Sequence, residues 1–301
     1  MEMKKKNSAL GIILVLVAGI LWGFSGFFVN LLKPRGVTSP QIGVMRLGFT
    51  FILMLLWAAF CRRDVFVAPK RCYKYFAGAG ALGMVGSTVF YFYAIEMTSM
   101  AVAAVLMYTA PIIVVVLSIF IFREHLTFLK SVCCIASFLG AALVSGIVGG
   151  VGNISVPGLL FGCAAGFSYA LYSVFSSLAL MRGAKPLSIT VYAFGFATLA
   201  MIPFGNVPSL IGKIAADPVI VLIALGQALV SCLAPYVLYT IGLKFTDASN
   251  ASIMSTVELV AATVIGFLAF NETVGIPAII GIVLVIGSVV MLNVRIPHKH
   301  K

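Results

Sequence analysis

AVAAVLMYTAPIIVVVLSIFIFREHLT fills positions 101–127, and ASIMSTVELVAATVIGFLAFNETV fills positions 251–274. Each is a long, almost wholly apolar run that closes on a glutamate, Glu124 in the first and Glu272 in the second. A helix needs about 20 apolar residues to cross the hydrocarbon core of a bilayer. A helix on the surface of a soluble core would show one apolar stripe and one polar face. These runs are apolar all round, so their solvent is lipid. A shift of 148 positions lays Ala103 on Ala251 and Glu124 on Glu272. The two stretches are therefore corresponding parts of two related halves.

The rest of the chain agrees. Of 301 residues, 62% are hydrophobic and 9% charged, against about 25% charged in an ordinary soluble domain. Mean hydropathy is +1.16. There is too little polar sequence to coat a water-exposed globule, which excludes a soluble enzyme, a nucleic-acid binder and a disordered chain. Strands of a membrane barrel would alternate apolar and polar residues, and these runs do not. Ten spans are expected, at 10–32, 41–61, 72–95, 99–121, 129–147, 157–180, 187–205, 218–242, 248–270 and 275–294. The breaks carry turn residues and charges, such as Lys33-Pro34-Arg35-Gly36, Arg62-Arg63-Asp64, Arg123-Glu124-His125, the glycine-rich 149–153 and Asn206-Val207-Pro208. The break at Met97-Thr98 is nearly apolar, with Glu96 its only charge.

Net charge is +12. With both termini placed in the cytoplasm, Lys33, Arg35 and Lys213 fall outside and Arg46 falls within a span. Every other one of the 20 Lys and Arg falls inside, Lys4, Lys5, Lys6 and Arg295 among them. Positive charge marks the cytoplasmic side, so the basic excess is a topology signal and implies no nucleic-acid partner. The expected location is the cell membrane, with cytoplasmic tails at 1–9 and 295–301. No cleavable leader is expected, since the first apolar run is too long. The six cysteines show no metal-binding spacing, and His125, His298 and His300 fall in loops or the tail. No phosphate-binding glycine loop followed by Lys-Ser or Lys-Thr occurs, so no cofactor and no direct nucleotide drive are expected.

The same shift lays Tyr91 on Tyr239 and Thr98 on Thr246. A shift of 147 lays Gly11 on Gly158 and Trp22 on Tyr169. The fold is thus expected to be all-α and integral to the membrane, with ten transmembrane helices as two five-helix repeats, 10–147 and 157–294. Five is odd, so the second repeat enters from the opposite face. Inverted repeats around a midplane site are a recurring plan of secondary transporters. The expected function is alternating-access transport.

AGILWGFSGFFVN at 18–30, Arg46 early in the second span, and the two stretches quoted above resemble the drug/metabolite transporter superfamily, EamA type. The resemblance covers about 10–294. The family pattern has a proline after the glutamate of the ninth helix, where this chain has Leu259. The resemblance implies a central cavity formed mainly by helices 1, 3, 4, 6, 8 and 9. It also implies dimer contacts through helices 5 and 10, so a homodimer is open. Small metabolites, such as amino acids or related amphipathic compounds, are the implied substrates, with export the expected direction. A lipid or lipid-carrier flippase is the alternative on the same architecture. A membrane-embedded enzyme would need several polar catalytic groups at one depth, and Glu258 with a few hydroxyls is all that appears.

Glu258 is the first candidate substrate residue. It lies mid-span, where an acidic side chain costs roughly 2.5–3.5 kcal/mol on insertion scales. It must face the bundle interior, a partner or water. It can bind a cationic or amino group or carry a coupling proton, and it can also be a structural hydrogen-bond partner. Arg46 can bind a carboxylate, snorkel to headgroups or pair with Glu96. Trp22, Tyr108, Tyr169 and Tyr172 lie near span centres rather than in the interfacial belts; with Tyr91 and Tyr239 they can line an amphipathic pocket or pack the bundle. Ser25, Ser255 and Thr256 add uncharged hydrogen-bond groups, as do Asn30, Ser168, Ser173 and Gln227. Glu124 and Glu272 are expected to cap helices or pair locally with Arg123. Pro111, Pro203 and Pro235 are candidate kinks.

Overall fold

The computed structural model describes residues 9–147 and 155–293. Lys4, Lys5, Lys6, the break at 149–153, and Arg295, His298 and His300 lie outside the described residues. Among the described residues the bundle has ten apolar helices, nine of them long and apolar enough to cross a membrane and one shorter. They are α1 (Ala9–Arg35), α2 (Ser39–Cys61), α3 (Lys70–Met97), α4 (Met100–Phe122), α5 (Phe128–Val144), α6 (Val156–Met181), α7 (Pro186–Phe204), α8 (Val219–Gly242), α9 (Ala248–Phe270) and α10 (Ile276–Asn293). α5 is the shortest, at 17 residues. At 1.5 Å per residue it is about 26 Å long, close to the thickness of the hydrocarbon core. Large apolar side chains such as Phe60, Phe120, Leu160, Leu199 and Leu222 are exposed on the outer faces, as expected where lipid is the solvent.

Local chemistry sets the ends. Thr38 and Gln41 form a reciprocal capping box at the start of α2. The Thr127 and Ser155 hydroxyls cap α5 and α6 by accepting from the backbone N–H groups of Lys130 and Gly158. The nearly apolar break after α3 is made by Thr98, and the Ser99 side chain caps α4 by accepting from Val102 N–H. One further helix, Val207–Ala216, precedes α8, where only a loop was expected. Asn206 caps it and Pro208 sits in its first turn. It is too short to cross a bilayer. It buries Leu210 against Leu32, Val37, Ile42 and Met45.

Five of the ten helices are irregular, and the irregularities repeat. α3 has a π-helical turn over Gly78–Val85, and α8 has one over Leu229–Leu233. Shifted by 148, the first range falls on 226–233. α4 breaks between Met107 and Ala110, and α9 breaks at Thr256, the position equivalent to Tyr108. α1 breaks at Phe24. α4 and α9 end in left-handed residues at equivalent positions, Arg123 with φ 54° and Asn271 with φ 53°. The family's missing proline therefore does not straighten α9. The Ser255 and Thr256 hydroxyls donate to the carbonyls of Ser252 and Ile253 and supply the local alternative to helical bonding.

Glycines let the irregular helices close on one another. A Cβ built on Gly83 would lie 2.9 Å from the Tyr172 amide nitrogen, and one on Gly86 would lie 2.7 Å from the Ser168 hydroxyl. α3 thus lies directly on α6. Gly19 and Gly23 do the same for α1 against the break in α9. A Cβ on Gly23 would lie 2.9 Å from the Glu258 carbonyl oxygen.

Candidate functional site

The irregular turns converge on one interior cleft. It is walled by Trp22 of α1, Gly83, Met84 and Ser87 of α3, Tyr169, Tyr172 and Ser173 of α6, Tyr236 and Tyr239 of α8, and Ser252 and Ser255 of α9. Its free space is about 10 Å³, room for roughly one water molecule, so the side chains of the wall nearly fill it. The aromatic rings touch across it. Trp22 lies 5.1 Å, centroid to centroid, from both Tyr236 and Tyr239, and Tyr172 lies edge-on to Tyr236 at 4.9 Å. A ligand of any size must part these rings to enter.

Most polar groups of the wall are already engaged. The Tyr172 hydroxyl is 2.8 Å from Thr240 Oγ1, and Ser173 Oγ is 2.8 Å from the Tyr239 hydroxyl. The indole N–H of Trp22 is buried without a hydrogen-bond partner among the described residues. A buried unsatisfied donor is costly, so this one stands ready for a ligand acceptor.

Glu258 stands directly behind the wall. It occupies the first turn of the second half of α9, immediately after the break. There the N-terminal end of the helix favours negative charge. The Tyr169 hydroxyl donates to Glu258 Oε1 at 3.4 Å and Oε2 at 3.3 Å. The Tyr108 side chain, at the break in α4, lies beside the same carboxylate. Glu258 has no ion pair among the described residues. Tyr169 belongs to the cleft wall as well, so the carboxylate communicates with the cleft through one side chain.

The remaining candidates are spread around this centre. Tyr91 is part-buried beside Tyr108, off the cleft. Thr256 is buried but bonded within its own turn. Ser25 follows the break in α1 and does not line the cleft. Arg46 is not paired with Glu96, which is exposed at the end of α3. Instead Arg46 Nη2 donates to Thr88 Oγ1 at 3.4 Å, while its Nε is buried and unpartnered. Cys232, Tyr236 and Tyr169 lie near its guanidinium. Two of those three are also wall residues. Glu124 does not pair with Arg123. The left-handed turn at Arg123 directs the chain back, and Glu124 bonds Lys130 instead, at 3.2 Å.

Gly83, Met84, Ser87 and Ser252 were missed as wall residues. The sequence does carry a signal for the first three. Gly78, Gly80, Gly83 and Gly86 are closely spaced in one span, and such glycines mark the close approach of another backbone. Ser252 carried no signal, because one serine in a small-residue helix is indistinguishable from packing.

With this geometry in place, comparison with known proteins is informative. The model of the EamA-like transporter family matches residues 9–146 and again 156–294. The chain belongs to the EamA-like transporter family. It is a multi-pass membrane protein of the drug/metabolite transporter superfamily, and its two family matches are the two repeats. An uncharacterised transporter of Archaeoglobus fulgidus is 27% identical over 281 residues, covering 92% of this chain and 94% of the relative. The uncharacterised inner membrane transporter YicL of Salmonella typhimurium is 22% identical over 293 residues, covering 94% and 95%. A solved crystal structure superimposes with a TM-score of 0.76 over 95% of this chain and 96% of that one, at 20% identity. That likeness concerns the fold.

Proposed function

We propose that the chain is a secondary transporter of the cell membrane, not an enzyme, and that it moves small amphipathic metabolites by alternating access. Amino acids and related compounds are the substrate class, export is the direction, and both termini lie in the cytoplasm. The supporting observation is the Tyr169 hydroxyl, which joins the aromatic cleft to the uncompensated Glu258 carboxylate. A buried carboxylate without a protein cation is completed by a substrate ammonium, or by a proton carried across in its place. Trp22, Tyr236 and Tyr239 offer ring faces to the apolar part of the substrate and to the same cation. Arg46, itself without a carboxylate partner, provides an opposite charge beyond Tyr236 for a substrate carboxylate. The basic loops favour the cytoplasmic placement of the termini, and the paired breaks in α4 and α9 give each repeat an equivalent mobile point.

Proteoliposomes loaded with a pooled mixture of amino acids, amines and carboxylates test this reading by mass spectrometry of the released compounds. Compounds bearing an amino group are expected to leave protein-containing vesicles and to stay in empty ones. No protein-dependent release from vesicles of either protein orientation, with and without a proton gradient, would reject it. Protein-dependent movement of a labelled phospholipid between leaflets, with no release of metabolites, would favour a flippase.

A further inference from the structure

The end of the bundle that carries Ala9 and Asn293 also carries a compact polar cluster, drawn from both repeats. Lys130, in the first turn of α5, places Nζ 3.2 Å from Glu124 Oε2, just past the end of α4. The same Nζ donates to Ser249 Oγ at 2.9 Å and lies 3.8 Å from Asp247 Oδ2. The Ser249 hydroxyl donates to Glu124 Oε2. Asp247 stands at the position just before α9 and Ser249 occupies its first turn. Lys130 and Glu124 belong to the first repeat, Asp247 and Ser249 to the second. The side chains of Lys130 and Glu124 are only 12% and 8% exposed. This is a shielded, multiply bonded ion cluster, unlike a solvated surface pair.

Internal symmetry makes the cluster informative. Each of its residues has a partner 148 positions away, at the opposite end of the bundle. Glu124 corresponds to Glu272, Lys130 to Ala278, Asp247 to Ser99 and Ser249 to Ala101. Only the glutamate survives. Glu272 is exposed and lies against Gly266, with no ion pair among the described residues. Other cross-repeat ties occur at both ends. Asp64–Lys185 at 2.9 Å on the terminal end is matched by Arg35–Asp217 at 3.0 Å and by Lys213 Nζ donating to the Gly36 carbonyl at the other. The two ion pairs among them are far more exposed than Lys130 and Glu124. Glycine contacts occur at both ends too, with Gly11 against Phe245 at one end and Gly158 against Met97 and Thr98 at the other.

We infer that Lys130, Glu124, Asp247 and Ser249 form a one-sided latch that holds α4 and α5 against the start of α9 and biases the transport cycle toward closure at the terminal end. A vestibule lies beside it, lined by Phe122, Glu124, Ser177, Met181, Lys244 and Thr246. In a symmetric pair of repeats the two end-closed states would be nearly equal in energy. A shielded ion cluster at one end alone lowers one of them, and a ligand must overcome that difference to complete the cycle. The inference rests on the alternating-access reading, but its test does not require the substrate.

The test is hydrogen exchange by mass spectrometry on the full chain in lipid nanodiscs, comparing wild type with Lys130→Met and Ala278→Lys. Lys130→Met is expected to raise exchange at least about tenfold in 243–255, with 96–101 unchanged or better protected. Ala278→Lys places a lysine where Glu272 can meet it, and should protect 96–101 and 270–276 while loosening 243–255. Equal loosening of both ends in Lys130→Met, or rates within about twofold of wild type at both, overturns the latch. If Lys130→Met does not fold, Ala278→Lys decides alone, and unchanged exchange at both ends in that variant overturns the latch. Reciprocal shifts in a protein that transports nothing would keep the latch and reject the transport reading.

Discussion

Glu258→Gln is expected to reduce the initial rate of substrate exchange by about ten- to a hundredfold. The carboxylate accepts from the Tyr169 hydroxyl, lies beside Tyr108 and has no cation among its described partners. Its negative charge is therefore available to whatever enters the cleft. A hydrogen bond to a charged group is worth about 1.5–3 kcal/mol, and 1.4 kcal/mol is a factor of ten. Gln keeps the shape and one oxygen that can accept from the Tyr169 hydroxyl while removing the charge. Tyr169→Phe removes a hydrogen bond to the charged carboxylate and should slow transport by about tenfold, while Tyr108→Phe should slow it by about fivefold or less. The readout is counterflow of the compound found in the efflux pool, with wild-type-like monodispersity in detergent as the folding control. Glu258→Gln transporting within about twofold of wild type would make the carboxylate structural. The substrate cation would then have to be held by the rings of Trp22, Tyr236 and Tyr239. Parallel loss for a neutral amide analogue would instead point to proton carriage as the role of Glu258.

The gross architecture was legible because lipid imposes one strong rule. Every backbone polar group must be satisfied within its own helix, so long apolar runs have one outcome. The span ends fall within a few residues of expectation, from Ala9 at the start to Asn293 at the end. The repeat was legible through Ala103, Ala251, Glu124 and Glu272. The breaks were only half legible. Pro111 and Pro235 each stand just past an irregular turn, and Pro203 ends α7. Thr256 carries no such sign, because its hydroxyl bond to Ile253 becomes visible only in three dimensions. Glu258 stood out because one charge in an apolar span is expensive. Its partners Tyr108 and Tyr169 were named as centre-of-span tyrosines, but nothing local says that α4 and α6 present them to the same carboxylate. The latch was invisible for the same reason. Lys130 and Glu124 are six positions apart across a helix start, and Ser249 comes from the other repeat. A sequence rule looks first to the neighbouring Arg123.

Gly140→Val and Gly281→Val are each expected to melt the protein about 3–5 °C below wild type. α5 and α10 meet backbone to backbone. A Cβ built on Gly140 would lie 2.7 Å from the Gly281 carbonyl oxygen, and one on Gly281 would lie 2.6 Å from the Gly140 carbonyl oxygen. The obstacle on each side is main chain, which cannot rotate away as a side-chain tip can. Close approach of this kind supplies the packing that holds membrane helices together when no hydrophobic force distinguishes protein from lipid. Valine must push the helices apart, which also stretches the bond between the buried hydroxyls of Ser137 and Ser288, now 2.5 Å apart. Overpacking of this sort costs about 1–3 kcal/mol, which corresponds to a fall of several degrees in a chain of this size. Gly287, with nothing within 4 Å of its built Cβ, lies on the same helix and serves as the control. Gly287→Val should melt within about 2 °C of wild type. Melting followed by size-exclusion chromatography of detergent-solubilised protein measures all three. A loss in Gly287→Val alone would mean that the outer face of α10, and not its seam with α5, carries the packing. α10 would then be held by a second copy of the chain, the arrangement implied by resemblance to the family. A loss confined to Gly140→Val and Gly281→Val places the seam within one chain and leaves Ile279, Val283, Ile286 and Val290 on the exposed face of α10.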